Sequence, residues 1–192
     1  MRKADFDHVV ASAALICGEE EIVVIGSQSI WGSLEDPPKE MLRSLEADIY
    51  PRRDPSRAEE IDGQLGDGSQ FQLTYGYYAH GVGPETAKAP AGWEERLVVV
   101  EVPRRPGEDG HVRAFCLERH DLVLAKCVAG RPRDWEFARV ALAAGIVELD
   151  QLLALIEDLP VGRADRDHVR SMLAGIQKQL QAQRLKAAPL PP

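Results

Sequence analysis

The sequence predicts an α/β fold in which a small mixed sheet, flanked by helices, is followed by a C-terminal helical bundle. Two patterns carry that prediction. Up to residue 117, short runs rich in β-branched and aromatic residues alternate with turn residues, which reads as four or five strands. From residue 118 onward, apolar positions recur at helical spacing instead. The chain therefore divides into a sheet domain over 1–117, a helical region over 118–186 and a flexible tail over 187–192.

Residues 5–17 open as a helix, with Phe6, Val9, Val10, Ala13, Ala14 and Ile16 at helical spacing and Gly18 as the stop. Glu21-Ile-Val-Val-Ile25 is a short buried strand, and the turn at Gly26 starts a helix through about Ser33. Asp36-Pro-Pro38 breaks that helix, because proline lacks an N–H and clashes with the preceding turn. Residues 46–50 form an acidic strand that Pro51 ends. A helix over 55–65 follows, with Pro55 in its first turn and Gly66 behind it. Segments 70–80 and 96–102 read as further strands, and the turn Pro106-Gly107-Glu-Asp-Gly110 leads into a strand over 111–117. Gly130 then ends one helix and Pro132 opens the next, as in an αα-hairpin. Gly145 closes that second helix, and 149–158 packs Leu149, Leu152, Leu153 and Ile156. A last helix over 164–185 carries Val169, Met172, Leu173, Ile176 and Leu180 on one stripe.

Composition narrows the functional classes. With 192 residues and 44% hydrophobic content, the chain can bury a sizeable core. A net charge of -8 argues against a surface that coats nucleic acid. The charge is uneven: residues 161–192 carry six Lys/Arg against Asp165 and Asp167, a local +4 that leaves -12 for the rest. A basic C-terminal helix on an acidic body could touch phosphates, but this stretch reads first as a solvated amphipathic face. Cys17, Cys116 and Cys127 show no Cys-x-x-Cys pair and read as reduced, core-packing thiols in a cytoplasmic protein. The five histidines show no zinc spacing. No apolar run is long enough to span a bilayer, so no membrane partner is expected.

Chemistry concentrates in two short motifs. In Glu46-Ala-Asp48-Ile-Tyr50 the carboxylates are two residues apart on a strand, hence on one face at roughly 7 Å. Both can ligate one divalent cation or share a pair of them. Gly26-Ser27-Gln28-Ser29, at the end of the preceding strand, offers backbone N–H groups and a hydroxyl to a phosphate. Together they point to phosphoryl or nucleotidyl transfer.

A strand ending in Gly-Ser, then a strand with alternating acids, resembles the polymerase-β-like nucleotidyltransferase superfamily. Further landmarks are Ser69-Gln-Phe71, Tyr75-Gly-Tyr-Tyr78, Gly81-Val-Gly-Pro-Glu-Thr86, Gly92-Trp-Glu-Glu-Arg-Leu97 and His120-Asp-Leu-Val-Leu-Ala-Lys126. They resemble an uncharacterised bacterial family grouped with the AbiEii-type and minimal nucleotidyltransferases of toxin–antitoxin systems, over roughly residues 5–160. Two departures stand out. The loop from Gln28 to Leu45 is longer than usual, and Glu46 stands where the superfamily normally has Asp.

The resemblance implies a nucleoside triphosphate (NTP) substrate, Mg²⁺ as cofactor, and transfer of the nucleoside monophosphate to an acceptor hydroxyl. The acceptor it implies is RNA (tRNA in some related toxins) or protein, within a toxin–antitoxin pair whose cognate protein is a further partner. Glu46 and Asp48 are the expected metal ligands and catalytic carboxylates. Glu101, ending the strand 97–100, is the candidate third ligand. Gly26, Ser27, Ser29 and Arg131 are the candidate nucleotide contacts, and Lys126 and Asp134 complete the catalytic set by likeness to Lys- and Asp-containing motifs.

Each candidate has a plainer reading beside it. Ser27 would cap a helix, Ser29 would face solvent, and Glu46 and Asp48 would line an exposed edge strand. Asp134 would steady its own helix by about 0.3–1 kcal/mol. Tyr75, Tyr77 and Tyr78 pack at the core or sheet edge, although one could stack on a base; Trp93 and Trp135 pack too. The altered first acid keeps a second class open, a catalytically silent antitoxin or interaction module. A small-molecule nucleotidyltransferase is a third alternative, for which the sequence identifies no pocket.

Overall fold

A computed structural model describes residues 1–104 and 109–187. Pro106 and Gly107 of the expected turn, and the tail beyond residue 187, lie outside the described residues. The chain forms two compact units: Met1–Ala87 with Gly92–Leu122, and Lys88–Ala91 with Val123–Pro192.

The first unit is an α/β sheet domain. Helix α1 (Lys3–Cys17) is followed by strands β1 (Glu21–Val24) and β2 (Glu46–Pro51), then helices α2 (Ala58–Leu65) and α3 (Gln70–Tyr75). Strands β3 (Tyr78–Gly81), β4 (Val98–Pro103) and β5 (His111–Cys116) complete a five-stranded sheet of order β3-β2-β1-β5-β4. Strand β1 runs antiparallel to β2 and parallel to β5, while β2 and β3 are parallel and β4 and β5 antiparallel.

Register sorts the side chains by face, because neighbours directly opposite in a ladder point the same way. One face carries Ile22, Val24, Ala47, Ile49, Ala79, Val102, Val112, Ala114 and Cys116, all buried. Helix α1 lies against it and touches all five strands, with Phe6, Val9, Val10 and Ala13 fully buried. Helix α2 covers its β2–β3 end, and the approach is close enough to require Gly81. A Cβ on Gly81 would run into the Ala58 carbonyl and lie 2.9 Å from the Asp62 nitrogen. Strand β3 is thereby clamped in register beside β2. The other face carries Glu46, Asp48 and Tyr50 with their neighbours Tyr78 and His80.

Two segments differ from the sequence expectation. Residues 70–75 form a helix rather than the start of a strand over 70–80. The Ser69 hydroxyl accepts the Gln72 N–H at 3.2 Å, which nucleates the turn, and Phe71 and Tyr75 then share one helix face. Their rings, 4.9 Å apart, pack with His8 and Tyr77, so tertiary packing overrides aromatic strand propensity. The segment after Gly26 is a 3-10 turn over Ser27–Gly32, not a regular helix. The Gly26 carbonyl accepts both the Ser29 N–H at 2.9 Å and the Ser29 hydroxyl at 2.8 Å, which closes the chain three residues on.

The second unit is helical. It contains the end of α4 (Arg119–Ala129), then α5 (Pro132–Ala143), α6 (Leu149–Leu155) and α7 (Arg163–Ala187). Val169, Leu173, Ile176 and Leu180 form the buried stripe of α7, with Leu152 and Ile156 also buried in this unit. Met172 sits beside the stripe, half-buried. Among the described residues, no helix is long and apolar enough to cross a membrane.

Candidate active site

Strands β2 and β3 carry the same small pattern, Glu46-Ala-Asp48 and Tyr78-Ala-His80, paired residue for residue. Ala47 and Ala79 turn inward and are fully buried, so the four polar side chains project together from the opposite face. His80 Nδ1 lies 3.1 Å from Asp48 Oδ1 and 3.5 Å from Glu46 Oε1. One ligand atom from each of Glu46, Asp48 and His80 can be chosen so that all three lie within 4.8 Å of one another.

Two further contacts hold the carboxylates. The Tyr78 hydroxyl donates to Glu46 Oε2 at 2.9 Å. Burial, reinforced by that hydrogen bond to a carboxylate, pushes the Tyr78 phenol up to about 12, so it remains a donor at neutral pH. Asp48 rests against Gly26: a Cβ there would stand 2.8 Å from Asp48 Cγ and overlap Oδ2. The glycine turn and the acidic strand, 22 residues apart in sequence, are packed together by the antiparallel β1–β2 ladder, in which the Ile25 N–H donates to the Asp48 carbonyl at 3.0 Å.

The plainer reading of Glu46 and Asp48 as an exposed outer edge does not hold. Strand β2 lies between β3 and β1, and both residues are partly buried. Ser29 does not face solvent either. It is fully buried, with its hydroxyl spent on the Gly26 carbonyl. Ser27 is the first residue of the 3-10 turn rather than its cap, a position that Gly26 occupies.

Glu101 requires a correction. It lies on β4, the edge strand opposite β3, exposed and in register with Arg113. Three strand spacings separate β4 from β2, roughly 14 Å, so Glu101 does not join the carboxylate pair. The third member of the cluster is His80. Histidine spacing along the chain could not find it, because β3 reaches β2 through register rather than sequence proximity. The repeated polar-Ala-polar pattern was the available signal.

Lys126, Arg131 and Asp134 gather in the helical unit. The Asp134 carboxylate, almost fully buried, accepts the Arg131 backbone N–H at 3.2 Å and its Nε–H at 2.6 Å. Lys126 Nζ stands 3.6 Å away. Asp134 therefore seals the start of α5, the structural role open to an acid in a first helical turn.

A family described as "Nucleotidyltransferase of unknown function (DUF6036)" matches residues 4–182. The chain belongs to this nucleotidyltransferase family. No curated protein and no solved structure matches it.

Proposed function

We propose that this member of the DUF6036 family is a Mg²⁺-dependent transferase that moves a nucleoside monophosphate from an NTP to a hydroxyl of RNA or protein. We place it in a toxin–antitoxin setting, on its sequence likeness to AbiEii-type enzymes. The observation that carries the reading is the packing of Asp48 against the Gly26 turn, with Glu46 on the same face. Paired carboxylate oxygens suit a hard cation. Mg²⁺, when bound, supplies charge neutralisation at the phosphates and the transferring group.

The chain's own part is positioning. Glu46 and Asp48 anchor positive charge, Tyr78 orients Glu46, and Gly26 and Ser27 receive the phosphates. The acceptor oxygen bonds to the α-phosphorus, the bond to the β-phosphate breaks, pyrophosphate leaves, and the hydroxyl proton is released to water. Without a cation, a triphosphate would meet two like charges at short range.

Calorimetric titration with ATP, GTP, CTP and UTP, in Mg²⁺ and in EDTA, tests the binding step, and transfer of labelled nucleotide to cellular RNA and protein tests the chemistry. Binding is expected only with Mg²⁺, and Asp48→Asn should cut transfer by about 10²–10³ with its melting temperature nearly unchanged. Equal binding in both buffers would overturn the metal dependence.

A silent partner-binding module is the second reading, favoured by one observation: a histidine, rather than a third carboxylate, completes the cluster. Under that reading, folded Asp48→Asn keeps any cellular phenotype.

A further inference from the structure

A histidine, His80, completes the cluster of Glu46 and Asp48. We propose that Glu46, Asp48 and His80 form a mixed oxygen–nitrogen site for a divalent transition ion of the Mn²⁺/Co²⁺/Zn²⁺ class, held more tightly than Mg²⁺. This deepens the transferase reading, since it uses the same carboxylates.

Geometry comes first. Ligand atoms about 2.1 Å from a common metal stand roughly 3.0–3.5 Å from their neighbours in octahedral or tetrahedral arrangements. The separations of His80 Nδ1 from Asp48 Oδ1 and Glu46 Oε1, 3.1 and 3.5 Å, fall in that interval. The three donors also arrive pre-positioned. Asp48 and His80 are direct partners in the β2–β3 ladder, Asp48 is backed by Gly26, and Glu46 is held by the Tyr78 hydroxyl. Such outer contacts fix ligand orientation and raise affinity. His80 is half exposed, which gives an ion a route of entry.

Chemistry then selects the ion. Mg²⁺ takes oxygen ligands, keeps several waters and gains little from an imidazole. Mn²⁺, Co²⁺ and Zn²⁺ bind imidazole nitrogen readily, with affinity rising from Mn²⁺ to Co²⁺. One nitrogen in the set therefore widens the gap between the two classes of ion beyond what carboxylates alone give.

The test uses the whole chain and no nucleotide, so it and the transferase reading fail separately. Mn²⁺ binding is followed by electron paramagnetic resonance, Mg²⁺ by competition against bound Mn²⁺, and directly coordinated nitrogen by pulsed resonance of the Mn²⁺ complex. Wild type should hold Mn²⁺ at least tenfold more tightly than Mg²⁺ and show imidazole nitrogen coupling. His80→Gln should lose the coupling and weaken Mn²⁺ about tenfold or more, while Mg²⁺ changes less than threefold. Asp48→Asn should weaken both ions. Unchanged Mn²⁺ affinity in His80→Gln, absence of nitrogen coupling in wild type, or equal loss of both ions in His80→Gln would each overturn the proposal. Melting curves for both variants establish that they are folded, and His80→Asn serves as a second variant should His80→Gln fail that control.

Discussion

Gly26 has φ -84° and ψ -166°, a conformation that any residue adopts. Its missing side chain serves space, not backbone freedom. The space it leaves admits a close approach from β2. The approaching group is the Asp48 carboxylate itself. Gly26→Ala should therefore displace Asp48 while leaving β1 and the turn able to form. Metal affinity is expected to fall about tenfold or more, with a modest loss of thermal stability. Calorimetry beside a melting curve measures both, and unchanged affinity would show that Asp48 is not held by this contact. Ser29, two residues into the turn, was legible as a polar residue of the motif but not as a buried one. Its burial depends on how the long loop folds back, where the Gln28 side-chain amide donates to the Ser44 carbonyl at 2.9 Å.

At the scale of elements, alternation and punctuation in the chain located most strands and every long helix. The exception over 70–75 arose because aromatic residues at i and i+4 satisfy a helix face as well as a strand. Capping also sets a pH dependence. At the start of α4 the Glu118 carboxylate accepts the His120 N–H at 2.6 Å and faces His120 Nδ1 at 3.0 Å. Burial alone would raise this carboxyl, but the hydrogen bonds from His120 and from the Asp121 backbone outweigh it and hold it below its ordinary value. A carboxyl lowered by folding stabilises the native state above its unfolded pKa, and that contribution is lost as pH falls through the folded one. Glu118→Gln should accordingly be less stable than wild type near pH 7, and the gap should narrow below about pH 4.5. Urea unfolding at pH 7, 5 and 3.5 measures it. A gap that widens on acidification would contradict the assignment.

For the molecule as a whole, the three thiols provide a readout of global opening. Cys17, Cys116 and Cys127 are all buried and free of disulfides, two in the sheet unit and one in the helical unit. Burial pushes Cys17 up to about 11 and Cys116 and Cys127 up to about 12. At pH 8 the thiolate fraction is then on the order of 10⁻³–10⁻⁴ at each, before access is considered. A disulfide reagent should find no thiol in the native protein and all three in denaturant. Rapid reaction of any one in native buffer would show that its unit opens locally.

The sequence alone determined the α/β class, the order of most elements, and the two short motifs, a glycine turn and an acidic strand. These are local properties, set by residue type, periodicity and turn chemistry over a few neighbouring positions. The tertiary structure decided which side chains meet. Strand register brought His80 to Asp48 across 32 residues, sheet order carried Glu101 to the opposite edge, and the start of α5 claimed Asp134. Register and strand order follow from which apolar faces bury best against α1 and α2, a sum over the whole core that no short stretch of chain contains.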